Sequence, residues 1–180
     1  MKIFITGDPG AGKTTMAKAL GEKLNVPVFS IDEFMFISPT SLQPYDYFRK
    51  NVEQIIDANS RYIIEGIDLG DSLELFNKIT GNADLVINFD VPTNLVMTGW
   101  FNRFYEHKEK GIPYNGFDTG GNYSDYVSLF KYWLEFYGDY LKTKEIRLKA
   151  LTNNPKVLTI RNHSEVGETI KNLVSGKISF

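Results

Sequence analysis

Lys13 and Thr14 close an eight-residue stretch, Gly7-Asp8-Pro9-Gly10-Ala11-Gly12-Lys13-Thr14, that holds three glycines and a proline. A plain turn needs one or two such residues, so the density asks for another use. Glycine lets successive backbone N–H groups turn inward and lets the chain approach a ligand closely. A lysine and a hydroxyl directly after them suit phosphate oxygens and a hard divalent cation. The spacing satisfies G-x-x-x-x-G-K-[ST], the pattern of a loop that cradles a polyphosphate. The context agrees: the apolar run "KIFIT" (2–6) precedes it and an amphipathic pattern follows, so a helix starting near Gly12 aims its positive end at the anion. Asp8, Gly10, Ala11, Gly12, Lys13, Thr14 and Thr15 are the expected nucleotide contacts, with Thr14 also holding Mg²⁺.

Moving a phosphoryl group to a small acceptor needs more: an acid near the metal, a group that orients the acceptor, and cations against the developing charge. Candidates stand at apolar strand ends, where open α/β sheets place ligands. Asp32 ends "FSID" and would orient or deprotonate an acceptor hydroxyl in preference to Glu33, the alternative being a helix cap. Glu65 ends "YIIE" before Gly66, in the pattern of an acid that holds metal-bound water. Asp68 offers a weaker acceptor contact, and Asp90 reads as the cap of a helix beginning near Thr93. Arg103, in "GWFNRFYEHKEKG", is the cation expected to close over the transferring group; a surface arginine is the alternative, and Arg147 stands second. His107 and His163 lack metal-ligand spacing and read as surface residues. Trp100, Trp133 and Phe136 read as core, while Phe34 and Phe36 suit either core packing or the faces of a planar acceptor.

The elements that must position these groups follow from periodicity. "KIFIT" (2–6), "VPVFSI" (26–31), "RYIIE" (61–65), "ADLVINFD" (83–90) and "KVLTI" (156–160) are short and continuously apolar, as strands covered on both faces are. Between them Met16, Leu20 and Leu24 fall four apart, and Tyr45, Phe48, Val52 and Ile55 repeat the helical stripe. Ser164 is the expected N-cap of a last helix carrying Val166, Ile170 and Leu173. Alternating strands and helices predict a parallel sheet wrapped by helices, in one domain over 1–180. The Gly- and Tyr-rich stretch 111–126 reads as a loop leading into a long helix of about 129–150, and 101–126 as a lid-like segment.

Composition sets bounds. The net charge of −2 lacks the basic excess of a nucleic-acid-coating surface. Without cysteine there are no disulfides or thiolate metal sites, which fits a cytoplasmic chain. Gly7 interrupts the amino terminus too early for a signal peptide, and no apolar run reaches membrane-spanning length. A homodimer remains open, with no exposed apolar stripe to mark its seam.

With these residues assembled, the chain resembles the adenylate-kinase-related P-loop kinases of nucleosides, nucleotides and small metabolites, nearest to the small bacterial group labelled DNA topology modulation proteins (FlaR-like). The stretches "MKIFITGDPGAGKTTMAKALGEKLNVPVFSIDEF", "RYIIEGIDL", "DLVINFDVPTNLVMTGWFNRF" and "KVLTIRNHSEVGETIKNL" carry the likeness. It implies a three-layer P-loop NTPase fold with a five-stranded parallel sheet in the order 2-3-1-4-5, and ATP with Mg²⁺. It places Asn162 and His163 near the base. The expected activity is transfer of the γ-phosphate to a small acceptor, a nucleoside or nucleotide; the rival is a nucleotide-dependent switch acting through a protein partner. No "NKxD" base-reading tetrapeptide occurs, which disfavours a GTPase, and the length leaves no second domain for an AAA-type machine.

Overall fold

Five strands whose residues are apolar on both faces pair into one parallel sheet. The computed structural model describes residues 1–38, 41–66, 73–110 and 144–178, together with 131, 134, 135, 138, 141 and 142. For Phe36, Ser38, Trp100, Arg103, Phe104, His107, Lys108 and Lys110 only the backbone is described. The strands are β1 (Lys2–Gly7), β2 (Val28–Ser30), β3 (Phe36–Ser38), β4 (Ser41–Leu42), β5 (Tyr62–Glu65), β6 (Leu85–Phe89) and β7 (Val157–Ile160). The helices are α1 (Lys13–Leu24), α2 (Asp32–Met35), α3 (Tyr45–Ala58), α4 (Glu74–Asn82), α5 (Thr93–Lys110), a helical stretch α6 over 144–151, and α7 (Ser164–Val174).

The sheet runs β2-β5-β1-β6-β7, all parallel; numbered among themselves, its strands stand in the order 2-3-1-4-5. Alternate residues serve two cores. Ile3 and Ile5 of β1, Ile63 of β5 and Leu85, Ile87 and Phe89 of β6 pack with Met16, Ala17 and Leu20 of α1 and Leu173 of α7. Phe4, Tyr62, Ile64 and Val86 face the other way, against Phe48, Val52, Ile55 and Ile56 of α3, Leu75, Phe76 and Ile79 of α4, and Leu151 of α6. Both faces being covered, the strands had no need of a polar side, hence their unbroken apolar runs.

Three expectations need correction. The aromatic stretch after Asp32 forms a small antiparallel hairpin, β3 with β4, where no strand was expected. Ser164 is the first helical residue of α7 and not its cap; the Asn162 side-chain oxygen accepts from the Ser164 N–H at 3.1 Å, and Glu165 Oε2 accepts from the Arg161 N–H at 3.1 Å. Asp90 does not cap α5, whose first turn is closed on the Pro92 carbonyl, and its carboxylate is engaged elsewhere. Asp68, Trp133, Phe136 and the loop 111–126 lie outside the described residues.

Tyr62 carries a pH dependence. Its side chain is fully buried, and its hydroxyl has no hydrogen-bond partner among the described residues. Burial first, then the charges of Asp84 and Asp57, push its pKa up from 10.0 to about 12. The folded state therefore holds the phenol proton more tightly than the unfolded chain does. That contribution is complete below about pH 10 and is lost as pH rises through about 12. Tyr62→Phe should remove an alkaline loss of about 2–3 kcal/mol seen in urea melts between those pH values. At pH 7 it should leave stability unchanged or slightly higher, since an unsatisfied buried hydroxyl is removed.

Candidate active site

The phosphate loop, Asp32, Glu65, Asp90 and Asn162–His163 sit at the carboxyl ends of the sheet strands, each just past or at the end of its strand. After β1 the chain turns through Gly10 (φ 78°) and Gly12 (φ 94°), left-handed conformations that a side chain would oppose. Gly12 is the N-cap residue of α1. Gly12 has no side chain to cap this helix end, whose positive dipole end favours an anion. A residue on α5 completes the support: a Cβ on Gly99 would overlap the Gly10 carbonyl, so only glycine lets α5 press so closely on the loop.

Lys13 opens α1 and is 6% exposed, with its ammonium donating to the Asp8 carbonyl at 3.1 Å. Thr14, next on the helix, donates its hydroxyl to Glu65 Oε1 at 3.1 Å. Glu65 reaches this point because β5 lies beside β1, with Ile5 opposite Glu65. It is 1% exposed, and its other oxygen, Oε2, is buried without a partner among the described residues. A buried carboxylate oxygen left bare is costly, and the missing partner is the sort of hydrogen bond a metal-bound water supplies. The hydroxyl and carboxylate oxygens fit Mg²⁺, which takes few protein ligands alongside phosphate oxygens and water. Among the described residues no group of three His, Asp or Glu gathers as a dedicated metal cage.

Asp32 follows β2, whose Ser30 lies opposite Glu65, and the Ile31 N–H bonds the Glu65 carbonyl at 2.9 Å. The two acids therefore stand at neighbouring strand ends. A Cβ on Gly66 would sit 2.8 Å from Asp32 Oδ1, so this glycine makes room for the carboxylate. Phe34 is partly buried against the α3–α4 core, the packing use of the two considered for it. Ala11 is buried within the loop and Thr15 is exposed on α1. Arg103 lies on α5.

Sequence reasoning missed the charge network behind the loop. Asp8, expected to contact nucleotide, has both carboxylate oxygens engaged by α6: Lys144 Nζ donates to Oδ2 at 2.7 Å and Arg147 Nη2 to Oδ1 at 2.8 Å. Lys144 also meets Asp90 Oδ1 at 3.0 Å. Burial alone would lower the Lys144 pKa, but hydrogen bonds to Asp8 and Asp90 outweigh it and hold the ammonium above its ordinary value. Arg147, read as a second lid cation, is 5% exposed and belongs to this network. His163 was read as an isolated surface residue. It is exposed, yet its Nε2 lies 3.0 Å from the Ala11 carbonyl, so that nitrogen carries the proton when the bond forms. Asn162, beside it, spends its side-chain oxygen on the α7 turn. The β7–α7 turn therefore rests directly on the phosphate loop.

Comparison with known proteins agrees with this geometry. The family described as "ATPase family associated with various cellular activities (AAA)" matches residues 3–84, from β1 to the residue before β6. The chain is 28% identical to an adenylate kinase of Nocardia farcinica over a stretch covering 54% of this chain and 67% of that one. It is 34% identical to a shikimate kinase of Sulfurihydrogenibium sp., covering 53% of this chain and 63% of that one. The matched stretches thus span about two thirds of these relatives. Among solved structures, an unliganded sugar kinase of Janibacter sp. superimposes with a TM-score of 0.59 at 12% identity, covering 97% of this chain and 92% of that one. That likeness shows the fold. The chain has the three-layer P-loop fold and is similar to P-loop small-molecule kinases over the matched stretches.

Proposed function

We propose that this chain is an ATP-dependent kinase that moves the γ-phosphate to a small acceptor, a nucleoside or nucleotide. The observation that carries the reading is the pairing of Thr14 with Glu65 at 3.1 Å beside a buried lysine, with one Glu65 oxygen buried and without a partner among the described residues. The amides of Gly10 to Thr14 and the Lys13 ammonium hold the phosphates. Thr14 and Glu65 are the residues that would hold Mg²⁺, which supplies charge neutralisation on the phosphates when bound. Asp32 orients an acceptor hydroxyl and takes its proton as the acceptor oxygen bonds the γ-phosphorus and the bond to the β-phosphate oxygen breaks. Arg103 on α5 is assigned the closing cation, and Asn162 and His163 the border of the base. Most of the barrier reduction then comes from positioning and fixed charge. A cytoplasmic setting, without nucleic-acid or membrane partners, suits the reading; among the described residues no helix is long and apolar enough to cross a membrane.

The test is a panel of nucleosides, nucleotides and sugars, each scored for acceptor-stimulated ADP release with Mg²⁺ and ATP. At least one acceptor should raise the rate tenfold or more over water. A flat response would favour the second reading, a nucleotide-dependent switch, to which the AAA match over residues 3–84 lends support.

A further inference from the structure

Asp8 fills a variable position of a loop that cradles anions with its backbone, and the chain nevertheless places a carboxylate there and buries it to 2% exposure. A buried charge is stable only when paired and hydrogen-bonded. Asp8 is paired twice, from one face of one helix: Lys144 and Arg147 stand three apart on α6 and each takes one carboxylate oxygen, at 2.7 and 2.8 Å. Lys144 continues to Asp90, just past β6, at 3.0 Å. The same residue faces the opposite way through its backbone, where its carbonyl accepts from Lys13 Nζ and from the Ala11 N–H, each at 3.1 Å. Asp8 is thus in contact with the phosphate-binding lysine on one side and with α6 on the other.

We propose that Asp8 is a positioning residue: its carboxylate latches α6 onto the phosphate loop and fixes how far Lys144 and Arg147 stand from the nucleotide's phosphates. The latch satisfies the buried Arg147 and the half-buried Lys144 without nucleotide, and it holds them off the polyphosphate when nucleotide is bound. Without it, α6 loses a contact that docks it on the loop; Arg147 loses this carboxylate, Lys144 keeps Asp90 at 3.0 Å, and both cations can turn toward the nucleotide. Binding of ATP then survives or tightens, while transfer suffers because charge is misplaced around the phosphates. A contribution to loop folding alone would weaken binding and turnover together.

The first arm of the test is hydrogen–deuterium exchange on full-length protein without ligand. In Asp8→Asn, amides of 144–151 should exchange at least tenfold faster, with α1 and β5 at wild-type protection. The second arm, which rests on the kinase reading, is a split: the Kd for ATP unchanged or lower, and kcat with the best acceptor reduced at least tenfold. Arg147→Lys keeps the charge but removes the guanidinium fork, and should loosen the same amides; it decides the matter should Asp8→Asn not fold. Wild-type exchange in α6 overturns the latch, as does a parallel loss of ATP affinity and turnover. Absence of acceptor-stimulated transfer in the wild type would count against the kinase reading, and the exchange arm would still decide the latch.

Discussion

Lys13→Ala abolishes most turnover with every acceptor, by about 10²–10³-fold, and leaves a folded protein. The size of the effect follows from burial. With 6% exposure the ammonium is largely cut off from solvent, so its attraction for phosphate charge is screened far less than a surface lysine's would be. The fold survives because the group left behind is not orphaned: the Asp8 carbonyl keeps its bond from the Ala11 N–H at 3.1 Å. Nor does the substitution touch the Asp8 carboxylate, which is held by Lys144 and Arg147. Steady-state ADP release with and without acceptor, beside a thermal melt, checks both halves. A well-folded variant working within threefold of wild type would remove Lys13 from the phosphate site.

The same residues show what could be read beforehand and what could not. Strands β1, β5, β6 and β7 were legible within two residues at each end, because a strand buried on both faces leaves an unbroken apolar run that few other elements leave. The phosphate loop was legible because its needs are local, carried by eight consecutive residues. Contacts formed by folding were not. Asp8 meets Lys144 and Arg147 across 136 and 139 residues, and an aspartate in a glycine-rich turn looks the same whether or not a helix docks on it. Asp90 read as a cap from its place before Thr93; it serves Lys144 because β6 lies beside β1, which brings Asp8 and Asp90 to one lysine. Gly99 gave no signal within the helical pattern of α5, and its purpose shows only where Gly10 lies against it. The hairpin β3–β4 is too short for any period to register.

The acceptor side bears the heavier test, since the reading of Asp32 rests on placement. Asp32→Asn should leave the Kd for ATP within about threefold and lower kcat with the best acceptor by about 10²–10⁴. Nearly the same shape remains after the change, so packing against Gly66, where Oδ1 stands close, is kept. What goes is the negative charge at the end of β2, one strand away from Glu65, and with it the capacity to accept a hydroxyl proton. In the proposed reading ATP should not register the change, because the contacts assigned to it lie on the loop between β1 and α1 and the acid assigned to its metal is Glu65, on β5. A capping role predicts something else: lower stability, by about 1 kcal/mol, with kcat nearly untouched. Denaturant melts and single-turnover transfer on one preparation separate the two. Loss of stability with intact transfer would leave Asp32 as a cap and shift the search for the acceptor's base to Glu33 or Asp68.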